Sequence, residues 1–427
     1  MIEGVTVRQA GPDDAVAGVQ PKWVALPESV EEIAAVMRAC AERDLAVVPV
    51  GGGTKLHWGR RPDRCDVLLD LCCLNEVVEH AAGDLVVRVQ AGATMEALAA
   101  TLAAKGQELA LDVPLEGATV GGTLATATAG PRSFRYGTPR DLLIGVTVVL
   151  ADGTVARSGG KVVKNVAGYD LGKLFTGSYG TLGVIAEATF RLHPLPADRR
   201  WVSTSLPAAV IGDSSSELPL SPVPLLRALA ASQAEPSAIT LDWPDMQAPF
   251  TVCALVEGAA AAERAEELRA VLAEEGGRLG GGEWPTKPVA GAEAPDGWAR
   301  LPGDELLIEI RTLATWADMV MTAVRDAAHV TELPAKARMW LADHLVTHVA
   351  LPGDAGPAAV AAFVSSLRAA VDSGEPRATV RILAAPEEAA RRVDRWGPVG
   401  GLSLMRRVKE QFDPGRRMSP GRFVGGI

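Results

Sequence analysis

The sequence predicts an α+β protein of two domains. Three observations lead there. The chain has 427 residues, and a single hydrophobic core rarely grows past roughly 250–300. Short apolar runs with period-2 alternation recur between segments whose apolar residues fall three and four apart, so strands and helices are mixed along the chain. Apolar residues make up 48% and charged residues 22%, an ordinary globular balance that excludes wholesale disorder.

The elements follow in order. Residues 27–44 open on Pro27 and a Ser29-x-x-Glu32 capping box, and Ile33, Val36, Met37 and Cys40 then share one helical face. Leu45 to Val50 is a Val-rich strand running into Gly51-Gly52-Gly53-Thr54. Strands are expected at 67–71 and 85–89. A helix is expected over 94–105, where Gly106 is placed to end it. Residues 117–130, GATVGGTLATATAG, carry no charge and only small side chains. A hairpin follows, 144–150 with 155–158 about Asp152-Gly153, then a strand over 184–192.

Prolines 194, 196, 207, 219, 222 and 224, with Ser214–Ser216, mark 195–222 as a linker. Beyond it the pattern reads strand 238–242, strand 251–256, helix 260–275, strand 306–311, helix 314–327, strand 344–351, helix 358–371 and strand 378–383. Such a mixture suggests a sheet with helices on one face. Residues 386–411 read as a last helical stretch broken near Gly397-Pro398. The charge runs 263–267 and 387–392 are mixed in sign and read as solvated faces.

Composition narrows the function. With 42 basic against 52 acidic residues the formal charge is −10, which argues against nucleic acid or an anionic membrane surface as partner. No apolar run approaches the roughly 20 residues of a membrane-spanning helix. The start, MIEGVTVRQAGPDD, shows neither a basic nor an apolar leader region, so a cytoplasmic location is expected, with at most peripheral membrane association. Five cysteines at 40, 65, 72, 73 and 253 form neither a disulfide framework nor the ligand spacing of an iron–sulfur cluster.

Three glycine-rich stretches carry most of the chemistry. Glycine admits a ligand close to the backbone, and successive amides form an anion-binding nest. Gly51-Gly52-Gly53 follows a buried strand. It is not a Rossmann fingerprint, which needs G-x-G-x-x-G, nor a Walker loop, since Lys55 is preceded by Thr54 alone. Gly117-Ala118-Thr119-Val120-Gly121-Gly122-Thr123 and Gly177-Ser178-Tyr179-Gly180-Thr181-Leu182-Gly183 also adjoin predicted elements. Each alone reads equally as a tight turn or as close packing of helix on sheet. Together they suit a long polyanionic cofactor held by backbone.

The motifs VPVGGGTK (48–55), GATVGG (117–122), AGPRSFRYGTPRDLLIG (129–145), GGKVVKNVAGYDLGKLFTGSYGTLGVIAEATFRLHP (159–194) and FDPGRRMSPGR (412–422) resemble the flavin-binding domain of the vanillyl-alcohol oxidase/p-cresol methylhydroxylase superfamily. Within it they look most like the smaller, glycolate oxidase FAD-binding type of subunit. The resemblance implies a p-cresol methylhydroxylase-type FAD-binding domain of two α+β subdomains, residues 1–204. It implies an inserted α+β cap or substrate domain, 205–385, and a C-terminal return to the first domain, 386–427. It implies FAD, with Gly51, Gly52, Gly53 and Thr54 around the pyrophosphate. Thr119, Gly121 and Gly122, on to Gly130, would line the flavin side, with Asp141 in the segment that follows. Gly183, Val184 and Ile185 would approach the adenine or ribitol end, and Arg422 would bring the C-terminus back.

The implied activity is oxidation of a 2-hydroxy acid, glycolate first, to the 2-oxo acid. The implied partners are a larger FAD-containing subunit and an iron–sulfur subunit that takes the electrons. A stand-alone 2-hydroxy-acid or alcohol dehydrogenase or oxidase, and a non-catalytic flavin-fold scaffold, are the alternatives.

The chain departs from the resemblance in places. Catalytic relatives carry a His-x-His strand. Here His344 and His348 stand four apart without a convincing third ligand, so no metal is expected. His57 does not match a flavin-attachment motif, so FAD is expected to be noncovalent. No catalytic residue is assigned. Lys161, Lys164 and Asn165 suit charge neutralisation or a solvated face. Arg132, Arg135 and Arg140 suit an anion or a local carboxylate such as Asp141. Tyr136, Tyr169 and Tyr179 all fall inside the flavin-type motifs, as ring-lining or core residues.

Overall fold

The computed structural model describes residues 4–160, 170–206, 221–279, 287–371 and 378–427. Its contacts divide the chain into two compact units. The first comprises Met1–Ala129, Thr138–Leu195 and Val399–Ile427; the second comprises Gly130–Gly137 and Pro196–Pro398.

The first unit opens with a four-stranded sheet of β1 (Thr6–Gln9), β2 (Trp23–Leu26), β3 (Val47–Val50) and β4 (Val67–Asp70), in the order β1-β2-β4-β3. β2 and β3 both run parallel to β4, and β1 runs antiparallel to β2. The helix Val30–Glu42 connects β2 to β3. Ser29 Oγ accepts from the Glu32 amide at 3.2 Å, while the Glu32 carboxylate accepts from the Glu28 amide at 2.8 Å. The first bond satisfies an amide of the helix's first turn, and the second ties down the residue before the cap. Its buried residues Val30, Ile33, Val36, Met37 and Cys40 keep the expected spacing.

An antiparallel five-stranded sheet follows in the same unit. Its strands come from β5 (Val77–Ala81) and β6 (Val86–Gln90), and, beyond the short β7 (Gln107–Glu108), from β8 (Leu143–Val149), β9 (Val155–Gly159) and β10 (Val184–Arg191). The order is β5-β6-β10-β8-β9, and β7 pairs instead with β11 (His193–Pro194). The expected hairpin joins β8 to β9: Val149 pairs with Val155, and Asp152 Oδ1 accepts from the Thr154 amide at 2.8 Å. Ile33, Met37, Leu69, Leu98, Leu124, Phe175 and Phe190 meet in one core, all 1% exposed or less.

The second unit is one antiparallel sheet of eight strands. These are β12 (Arg199–Leu206), β13 (Ala238–Trp243), β14 (Phe250–Glu257), β15 (Val289–Gly291), β16 (Leu306–Thr312), β17 (Lys336–Leu341), β18 (Leu345–Leu351) and β19 (Ala378–Ala384). The order is β15-β12-β14-β13-β17-β18-β16-β19. Helices Val223–Ala231, Ala261–Leu279, Ala317–Thr331 and Pro357–Val371 bury one side each in a core with Ile239, Leu241, Val252, Ile308, Ile310 and Val349. Those strand residues alternate in sequence, so they define one face of the sheet.

The structure departs from the expected elements in several places. Arg199–Leu206, placed in a linker by the prolines around it, is a strand paired with β14 over its whole length and with β15 at Trp201–Ser203. The expected linker's residues 207–220 lie outside the described residues. Lys336–Leu341 is a strand between β13 and β18. The last helical stretch is two short helices, Glu387–Ala390 and Leu402–Phe412.

The C-terminal segment joins the first unit at the free edge of β3. The Val47 amide donates to the Arg417 carbonyl at 2.8 Å, and the Ser419 amide donates to the Val47 carbonyl at 2.9 Å. Val47 and Met418 thereby form a parallel bridge. Lys409 Nζ, 5% exposed as a residue, donates to Asp413 Oδ2 (2.7 Å) and to the carbonyls of Thr181 (2.7 Å) and Met418 (2.8 Å). No helix among the described residues is long and apolar enough to cross a membrane.

Candidate functional site

The strand β3 ends at Val50 and releases the chain into 51–56. That loop forms one wall of a cavity wholly within the first unit, with about 790 Å³ of space free of protein atoms, its open mouth included. The second wall is Thr119 and the helix Val120–Thr126. The third is Tyr179, Gly180, Gly183 and Ile185, and the C-terminal Ser419 and Arg422 close the set. Three stretches spread over more than a hundred residues of sequence therefore meet.

The glycines meet it for different reasons. A Cβ on Gly51 would lie 2.2 Å from Thr119 Oγ1, and one on Gly52 would lie 2.1 Å from the Gly117 carbonyl oxygen. These two glycines let the first and second stretches touch. Gly53 has φ +70°, and a Cβ there would meet nothing within 4 Å. It is glycine for its backbone conformation, and it borders open space. Among the described residues, the amides of Gly52, Gly53 and Thr54 donate to no protein acceptor. Successive unpaired amides beside a cavity form a nest for an anion.

The remaining walls are held by local bonds. Thr119 Oγ1 caps its helix by accepting from the Gly122 amide at 3.3 Å. The amides of Gly177 and Tyr179 donate to the carbonyls of Leu124 (2.9 Å) and Ala125 (2.8 Å), which docks the third stretch on the end of the second. Arg422 Nη2 donates to the carbonyls of Leu56 (2.9 Å) and Trp58 (2.8 Å), fixing the far side of the glycine loop. Ser419 is 1% exposed and its Oγ has no partner among the described residues. A buried hydroxyl of this kind fits a bound polar group. The glycine nest, the bare hydroxyl and the apolar stretch of Val50, Leu56 and Ala91 suit a dinucleotide carrying an aromatic ring system.

Of the residues named from the sequence, Gly51, Gly52, Gly53, Thr54, Thr119, Gly121, Gly122, Gly183 and Ile185 line this cavity. Three do not. Gly130 belongs to the second unit, where its carbonyl accepts from Ser133 Oγ at 2.6 Å. Asp141 accepts from the Thr138 amide (2.8 Å) and hydroxyl (2.7 Å), a helix cap on the surface. Val184 is fully buried in the core. Tyr179 lines the cavity; Lys161, Lys164, Asn165 and Tyr169 lie outside the described residues. His57 is exposed and does not line the cavity. Lys55, Tyr179, Ser419 and Arg422 complete the walls, and only their positions in the quoted motifs hinted at it.

The second unit gathers its charges on the sheet face opposite the helices. Glu309, 4% exposed, accepts from Arg381 Nε (2.6 Å) and Nη2 (3.0 Å) and from Arg311 Nε (2.7 Å). Burial pushes the Glu309 carboxyl up, but Arg381 and Arg311 outweigh it and hold it well below the usual range. His348 approaches Glu309 Oε2 at 3.6 Å and lies over Trp340 at 4.5 Å between ring centroids. Burial lowers its pKa. His344 instead pairs with Asp343 at 3.1 Å on the surface. Among the described residues no three His, Cys, Asp or Glu groups cluster as a metal site. Arg132 and Tyr136 are engaged within this unit by Glu257, at 3.5 and 3.1 Å, and Arg135 by Glu235.

A family model described as the FAD binding domain matches residues 21–159. Residues 21–159 are an FAD binding domain. That domain supplies the first two glycine stretches of the cavity, and its cofactor is FAD. The chain is 36% identical over 181 residues to glycolate oxidase subunit GlcD of Bacillus subtilis, covering 42% of this chain and 38% of that protein. It is 37% identical over 180 residues to D-lactate dehydrogenase (cytochrome) 1 of Saccharomyces cerevisiae, covering 42% and 30%. It is 38% identical over 172 residues to D-2-hydroxyglutarate dehydrogenase of Bos taurus, covering 40% and 32%. The matched stretch thus spans less than half the length of these curated relatives. Among solved structures, p-cresol methylhydroxylase with substrate bound matches at TM-score 0.71 and 17% identity, over 95% of this chain and 89% of that one. Chitooligosaccharide oxidase matches at TM-score 0.67 and 16% identity, over 97% and 95%. The expected fold, a p-cresol methylhydroxylase-type FAD-binding domain with an added α+β sheet domain, is the fold these two share with the chain.

Proposed function

We propose that this chain is the FAD-binding subunit of a glycolate oxidase-like enzyme. It oxidises glycolate or a related 2-hydroxy acid to the 2-oxo acid and passes the electrons to a partner iron–sulfur subunit, beside a larger FAD-containing subunit. The observation that carries the reading is the convergence of three glycine stretches on one cavity. The FAD binding domain that supplies two of them matches enzymes named for glycolate, D-lactate and D-2-hydroxyglutarate, all 2-hydroxy acids.

A bound FAD supplies two-electron acceptance from substrate and stepwise release to a partner. The chain's own residues supply the hold and the orientation. The amides of Gly52, Gly53 and Thr54 would grip the pyrophosphate, while Thr119, Gly121 and Gly122 leave room for the ring system along the helix. Gly183 and Ile185 would border the other end. Residues 205–385 would act as the cap, between the flavin domain's 1–204 and 386–427. A cytoplasmic place, at the membrane only through partners, fits an acidic chain.

The test is anaerobic mixing of the FAD-loaded chain with glycolate, D-lactate and D-2-hydroxyglutarate, followed by flavin absorbance. Bleaching by one of them, with acceptor reduction only after an iron–sulfur partner is added, supports the reading. Fast turnover of the isolated chain with an artificial acceptor would make it a stand-alone dehydrogenase. No bleaching by any 2-hydroxy acid, alone or in the complex, would sink the substrate assignment.

A further inference from the structure

Lys55 is the one residue of the glycine loop that carries a charge, and it is only 7% exposed. It lines the cavity next to Gly53 and Thr54. The sole hydrogen bond of its ammonium among the described residues is a long one, 3.4 Å from Nζ to Thr54 Oγ1. No described carboxylate lies within ion-pair distance of it. The acidic group that acts on it is Glu96, an exposed residue whose carboxylate accepts from the Gly117 amide at 3.1 Å. The other base lining the cavity, Arg422, donates to the carbonyls of Leu56 and Trp58.

An ammonium withdrawn from water without a counter-charge is expensive, and a fold tolerates it where a ligand brings the missing anion. Resting on the FAD reading of this cavity, we propose that Lys55 is the cation that pairs with the dinucleotide pyrophosphate, completing with its charge what the amides of Gly52, Gly53 and Thr54 begin. The cradle is then a nest plus a point charge, built from four consecutive residues, although the sequence is not a Walker loop.

Burial pulls the free lysine's pKa down to about 8, partly opposed by Glu96. A bound dianion favours the ammonium and raises that pKa again. Below pH 8 the lysine is charged in both states, so FAD affinity is flat. Above pH 8 binding must take up a proton, and affinity weakens by up to about tenfold per pH unit until the bound state's pKa is reached. Glu96 is the acidic group that acts on Lys55, and Tyr179 is the tyrosine that lines the same cavity.

The experiment measures dissociation constants of FAD and ADP-ribose for the full apo-chain between pH 6.5 and 9.5, for wild type, Lys55→Met and Lys55→Gln. Thermal melts of each apo-protein verify folding. ADP-ribose carries the pyrophosphate without the flavin ring. The proposal predicts that both variants weaken FAD and ADP-ribose alike, by about 10- to 100-fold at pH 7 for one lost charge-assisted contact. It also predicts that the wild-type slope above pH 8 disappears in them. Folded variants with wild-type affinities, or a slope that survives in both, would overturn it. So would loss of FAD affinity with ADP-ribose unchanged, which would place the lysine against the flavin ring. Wild-type chain that binds ADP-ribose and FAD nowhere in this range overturns the cavity assignment itself, and the lysine's role with it.

Discussion

Gly52 and Gly53 are neighbours with opposite reasons for lacking a side chain, and the difference is testable. Gly52→Ala drives a methyl to within 2.1 Å of the Gly117 carbonyl oxygen. The backbone must give way, so the variant should lose about 1–3 kcal/mol of stability together with its flavin. Gly53→Asp places its side chain in open space, and aspartate tolerates a left-handed backbone better than most residues. Its apo-protein should melt within a few degrees of wild type yet bind no FAD, because a carboxylate would face the pyrophosphate. Melting curves read beside bound-flavin absorbance separate the two. A Gly52→Ala protein as stable as wild type would contradict the packing argument. The sequence shows three adjacent glycines but not which one faces the ligand, since that depends on Gly117, some 65 residues away. Lys55 was legible only as a failed Walker motif, because its burial comes from the walls around it.

At the scale of elements, period and turn chemistry predicted most of the sheets and helices, while the misses share a cause. Arg199–Leu206 reads RRWVSTSL: its inward residues Val202, Thr204 and Leu206 alternate with Trp201, Ser203 and Ser205, but the serines, threonine and flanking prolines mask the pattern. Pairing on both edges makes it a strand, and tertiary context outweighs composition there. Ser203 pairs with Cys253 on one side and Val289 on the other. Ser203→Pro removes an amide from a strand flanked on both edges and should cost about 3 kcal/mol or more. Faster limited proteolysis within the second unit is the expected readout; an unchanged digestion pattern would mean the strand is dispensable.

Across the whole molecule, the first unit is assembled from three separated pieces, and its last piece delivers Ser419 and Arg422 to the cavity. Lys409 is the buried link, tying Asp413, Met418 and Thr181 together. Lys409→Met leaves Asp413, 0% exposed, with two backbone donors but no counter-charge. A loss of about 3 kcal/mol is expected, with a lower urea midpoint and weaker FAD retention; an unchanged midpoint would show that the link is not needed. The discontinuity was visible in the sequence only through the motif FDPGRRMSPGR, since no local signal reveals that Met418 bridges to an edge strand at Val47. The most direct test of the cradle is the flavin content of the purified chain, wild type against Gly53→Asp. One releasable FAD per wild-type chain and none in a folded Gly53→Asp chain is the predicted result, and full flavin occupancy in the variant would contradict it.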